Sequence, residues 1–98
     1  MPEDGTHEAE ILTLLERAQV ASETVQELAF DCLRQFRKEC GSIFELSQQN
    51  TAQHLLTTGS SKGLTDITRE RDERLNQARW KLKVRLEALL HTAEEKCL

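Results

Sequence analysis

The stretch Ile11–Cys40, ILTLLERAQVASETVQELAFDCLRQFRKEC, decides the fold class. Its apolar residues are Ile11, Leu14, Leu15, Ala18, Ala21, Val25, Leu28, Ala29, Cys32, Leu33 and Phe36. They recur in steps of three and four, the period of a helix face and not of a strand. Written as heptads, Ile11, Ala18, Val25 and Cys32 take one core position, and Leu14, Ala21 and Leu28 take the other. Leu15, Ala29 and Phe36 widen this seam to a bundle-type face. The opposite face carries Glu16, Glu23, Glu27, Arg34, Arg37 and Lys38, with acids leading and bases following as the helix dipole prefers. The spacing predicts one helix over 7–40, after a polar lead over 1–6 in which Asp4 or Thr6 supplies the cap. Gly41 then stands where a helix commonly ends or bends. An amphipathic helix gains most of its stability from packing, so the stripe demands a neighbour. Its small middle residues, Ala18, Ala21 and Ala29, predict a close one.

Downstream, Ser42-Ile-Phe-Glu45 is a capping-box pattern that can restart a helix. The polar stretch after it, with Leu55 and Leu56 at its end, predicts a short helical segment over 42–56. Thr57-Thr-Gly-Ser-Ser-Lys-Gly63 has the composition of a connector. A second long helix is predicted over 64–97, capped by Thr65 or Asp66. Its apolar stripe is Leu64, Ile67, Leu75, Ala78, Leu82, Leu86, Leu89, Ala93 and Cys97. Trp80, Val84 and Leu90 lie off that stripe and suggest a second apolar face, as expected of a helix with two neighbours. The run Arg79-Trp-Lys-Leu-Lys-Val-Arg-Leu86 alternates basic and apolar residues, a strand-like pattern. Its flanks are strongly helical and a lone strand has no partner, so it is read as helix.

The chain has 98 residues, 38% of them hydrophobic and 31% charged, with one Pro and four Gly. That profile suits helices and disfavours sandwiches and barrels, which need frequent turns. A core this small is marginal without help. The net charge of −4 is too mild to make nucleic acid or a membrane the expected partner. The charge is uneven: residues 1–41 hold nine acids against four bases, and residues 64–98 seven against eight. Rim charges of this kind favour antiparallel docking of the first helix against the last. The odd set of Cys32, Cys40 and Cys97 fits reduced thiols in an intracellular setting. The polar N-terminus has no signal-peptide character, and no run reaches the length of a membrane span.

Catalytic constellations are not found. His7, His54 and His91 lack the spacing of a helical zinc site, and Cys40, Cys97 and the histidines match no metal-ligand pattern. Gly59-Ser-Ser-Lys-Gly63 lacks the Walker spacing, and a cysteine nucleophile, which needs a low-pKa thiolate beside a base, is not expected. No cofactor or metal is expected. Arg79, Lys81, Lys83 and Arg85 fan around a helix instead of forming one patch. They read as a solvated face beside a partly buried Trp80, as a contact for an acidic protein partner, or as a contact for nucleic-acid phosphates or a membrane surface with Trp80 as the stacking or anchor residue.

The segment Ser22-Glu-Thr-Val-Gln-Glu-Leu-Ala-Phe30, continuing to Cys32-Leu-Arg-Gln-Phe36, resembles the first helix of the Mediator complex subunit 30 family. The last helix is similar in outline, from Asp72 to Leu75 and on to Glu95-Lys96-Cys97. The middle stretch with its Gln and Asn residues does not match. The resemblance implies a nuclear, non-enzymatic scaffold that packs by long helices against other subunits of that transcription coactivator.

The expected architecture is all-α: an antiparallel pair of long helices with a short middle helical segment, completed as a bundle or coiled coil by other chains. The residues expected to contact a partner are Leu14, Ala18, Val25, Leu28, Phe36, Trp80, Leu82, Val84, Leu86 and Leu89. The expected partners are other helical subunits, a second copy of the chain included. The alternatives to a nuclear coactivator subunit are a helical adaptor of a cytoplasmic tethering or cytoskeletal complex, and a small self-associating helical protein.

Overall fold

A computed structural model describes residues 3–96, with side chains described from His7 onward. The chain forms three helices, α1 over Glu3–Gln19, α2 over Glu23–Thr58 and α3 over Leu64–Lys96, and no strand among the described residues. The alternating segment 79–86 lies inside α3.

The single helix expected over 7–40 is broken. Val20, Ala21 and Ser22 leave the helical path, and α2 starts afresh at Glu23. The cause is local capping. Ser22 adopts an extended backbone (φ −65°, ψ 160°), and its hydroxyl accepts from the Val25 amide at 3.4 Å. Glu23 follows in the first turn, where a carboxylate suits the dipole. On the other side of the break, the Ala21 amide donates to the Ala18 carbonyl at 3.1 Å. The chain folds back on itself here, placing Leu15, Ala18 and Gln19 around one groove with Gln26, Ala29 and Phe30.

Other boundaries shift as well. α1 begins at Glu3, so the polar lead is shorter than expected. Met1 and Pro2 lie outside the described residues, as does Cys97 at the expected end of the last helix. α2 runs without interruption through Gly41 to Thr58, joining the separately expected 42–56 segment into one helix of 36 residues. Gly41 neither ends nor caps it: a Cβ there would meet nothing within 4 Å. The true stop is Gly59 (φ 64°), whose amide bonds the Leu55 carbonyl at 2.8 Å, a left-handed cap that glycine adopts without penalty. α3 starts at Leu64, ahead of the expected caps Thr65 and Asp66. At the loop's far end the His54 ring closes against Gly63 (φ 97°), where any Cβ would come within 3.0 Å of it.

α2 and α3 share the longest interface, while α1 rests mainly on α3 and touches α2 little. Pairings fix the arrangement. Along α1 and α3, His7 meets Trp80, Glu10 meets Lys83, and Arg17 meets Glu94 at 2.7 Å. Along α2 and α3, Leu28 shares a groove with Leu89, Glu39 reaches Lys81 and Arg85, and Asn50 shares a groove with Ile67. The molecule measures 58 × 27 × 16 Å. At 1.5 Å per residue α1 spans only about 25 Å, roughly half the length of its neighbours. One end is therefore three helices thick, and the other is a two-helix arm.

The core sits at the thick end. Ile11, Leu14, Ala18, Val25, Ala29, Leu82, Leu86 and Leu90 form one buried cluster, packed around by Leu15, Cys32, Leu33, Phe36 and Leu89. Leu75 and Ala78 are the buried residues nearest the arm. Leu90, expected off the stripe, is buried, because α3 has neighbours on two sides and its inward face is broader than one heptad seam.

Candidate interaction surface

The ten residues expected to contact a partner divide into three groups. Leu14, Ala18, Val25, Leu82 and Leu86 are buried in the chain's own core. Phe36 and Leu89 are half-buried and pack against it. Leu28, Trp80 and Val84 are 41%, 50% and 42% exposed. The division follows from the fold-back. α1 supplies a neighbour from within the chain, so the middle of the stripe is closed by Ala18 and Ala29. After the break the inward phase passes from Leu28 to Ala29, leaving Leu28 on the rim.

Three apolar surfaces remain open at the thick end. Leu28 and Leu89 border a groove between α2 and α3, with Arg85 on its edge. Leu15, Phe30 and Leu33 border the groove between α1 and α2. Trp80 and Val84 face outward from α3, on the side opposite Leu82 and Leu86. The Trp80 ring is held edge-on by His7, with centroids 5.6 Å apart, and the Lys83 ammonium lies 4.8 Å from its centroid. Both contacts fix an amphipathic anchor in place.

The arm exposes more. Phe44, Leu46 and Leu55 are partly exposed, and Leu56 is 87% exposed. Ile43 and Ile67 are only half-buried between the two helices. Sequence periodicity passed over Phe30 and Phe44 because both fall off the main stripe. The signal available for them was residue type: a large aromatic at an outward helical position.

The four bases of the alternating run are not free. Arg79 and Lys83 turn towards α1, where Glu8 lies 3.9 Å from Arg79 and Glu10 pairs with Lys83. Lys81 and Arg85 turn towards α2, and both reach Glu39, at 4.0 and 3.5 Å. The alternation thus places one base pair on each flank of a helix lying between two acidic neighbours. Lys83 is held above its ordinary pKa, mainly by its hydrogen bond to Glu10.

The thiols of Cys32 and Cys40 are not activated. Burial raises the Cys32 pKa, partly offset by Arg85, and burial raises that of Cys40, partly offset by Arg79. Both therefore stay protonated near neutral pH. Among the described residues, no group of three or more His, Cys, Asp or Glu side chains is placed to hold a metal ion. No described helix is long and apolar enough to cross a membrane. What this geometry offers is apolar helix surface rimmed by charge. No protein-family model, curated protein or solved structure matches this chain.

Proposed function

We propose that this chain is a non-enzymatic helical subunit of a multiprotein assembly, of the Mediator coactivator type and nuclear in location. In this reading α2 and α3 act as an antiparallel pair, and helices from other subunits complete the bundle along the arm. One observation carries the proposal. α1 covers only half of the α2–α3 pair, and the uncovered half presents Phe44, Leu46, Leu55 and Leu56 to solvent. A two-helix arm buries little apolar surface by itself, so added helices gain area there at small cost. The likeness of Ser22–Phe36 to the Mediator subunit 30 family supplies the choice of assembly.

The test is affinity purification of the tagged chain from nuclear extract, followed by mass spectrometry. Recovery of several Mediator subunits, lost in a Phe44→Asp/Leu55→Asp variant that keeps its helical content, is the expected result. Recovery of cytoplasmic tethering or cytoskeletal proteins instead would overturn the choice of assembly. Recovery that survives the arm substitutions would overturn the choice of surface.

A further inference from the structure

α1 is joined to α2 by only Val20, Ala21 and Ser22, and it rests on α3 far more than on α2. Its polar anchors on α3 include the Glu10–Lys83, Arg17–Glu94 and Glu8–Arg79 ion pairs. None of the three linking residues is Gly or Pro. The heptad positions Ile11, Ala18, Val25 and Cys32 keep step straight through them, as do Leu14, Ala21 and Leu28. The linker is therefore as fit for helix as for a turn. The turn is held by the Ser22 cap, at a long 3.4 Å, and by the Gln26 side-chain amide, which serves the carbonyls of Gln19 and Ala21. A helical linker would satisfy these same backbone groups by its own hydrogen bonds. Straightening would thus exchange one local solution for another, and its main cost is that α1 leaves its seat on α3.

A second copy of the chain offers an identical seat. We propose that α1 is an exchangeable arm. With Val20–Ser22 helical, α1 and α2 join into one helix, and α1 docks on the α3 of a second copy while receiving that copy's α1 in return. Every contact between α1 and α3 is remade across the pair, and only the linker changes. Short linkers between docked elements favour this kind of exchange.

The test uses the full chain with Cys32, Cys40 and Cys97 replaced by Ser. Light scattering after gel filtration follows its mass from low-micromolar to near-millimolar concentration. Ser22→Ala removes the cap and favours helix in the linker, so it should raise the dimer association constant by about tenfold or more. A Gly-Gly insertion between Ala21 and Ser22 disfavours the joined helix but is tolerated in a loop, so it should suppress the dimer. Topology is read by adding Arg17→Cys and Glu94→Cys and treating with a short bismaleimide. The monomer should cross-link within the chain and the dimer between chains. A Ser22→Ala protein that stays monomeric at all concentrations would overturn the proposal. So would a dimer cross-linked only within chains, or one that the Gly-Gly insertion leaves undiminished.

Discussion

The side-chain amide of Gln26 donates to the backbone carbonyl of Gln19 at 2.8 Å, across the turn that separates α1 from α2. It also reaches the Ala21 carbonyl at 3.2 Å. One side chain from the first turns of α2 thereby satisfies the carbonyl of the last α1 residue and one carbonyl of the linker. Gln26→Ala is expected to cost about 1 kcal/mol, the usual net worth of such bonds. Chemical denaturation of a dilute sample checks this, and an unchanged midpoint would show that the turn does not depend on Gln26.

Leu86 and Leu28 should respond very differently to truncation. Leu86 is fully buried and Leu28 stands on a rim. Leu86→Ala is expected to cost about 2–5 kcal/mol through lost burial and the cavity left behind. Leu28→Ala is expected to cost less than about 1 kcal/mol. Equal losses would mean that α2 is rotated from the phase described, with Leu28 inside.

Gly41 lies inside α2 with open space where a Cβ would point. Gly41→Ala should therefore stabilise the fold by about 0.5–1 kcal/mol, from helix propensity and a less flexible unfolded chain. Thermal melting reads the change. A loss of stability would indicate a bend at Gly41 that alanine cannot follow.

The Glu10–Lys83 pair gives a pH-dependent signature. The Lys83 pKa is raised above 10.5 in the folded state, chiefly by its hydrogen bond to Glu10. A raised value means that the folded protein holds the proton more tightly than the unfolded chain does. The associated stability is complete below the unfolded pKa and is lost as pH rises through the folded value. Glu10→Gln should therefore melt earlier than the parent at neutral pH, with the gap closing in the alkaline range above 10.5. A gap that is constant through that range would assign the effect to packing and not to charge.

The helical class was legible because steps of three and four dominate both long stripes. The connector was legible because Gly59 and Gly63 mark it, and both have positive φ. The fold-back was hidden because the heptad pattern crosses Val20–Ser22 without losing phase. Only the capping chemistry of Ser22 and the long amide of Gln26 distinguish a turn there, and neither is rare inside a helix. Gly41 misled for the opposite reason: a residue favoured after helix ends sits here within one. Among the surface residues, Val84 and Trp80 were recognisable as a face apart from the stripe. Val25, Leu82 and Leu86 looked the same as a partner seam because burial inside a chain and between chains selects the same side chains.

The fold-back of Ile11–Cys40 is tested most directly by solution NMR of a dilute, monomeric sample. Helical chemical shifts should lapse at Val20–Ser22, and nuclear Overhauser cross-peaks should join the rings of His7 and Trp80, whose centroids lie 5.6 Å apart. Unbroken helical shifts from Ile11 to Cys40 with no His7–Trp80 cross-peak would contradict it.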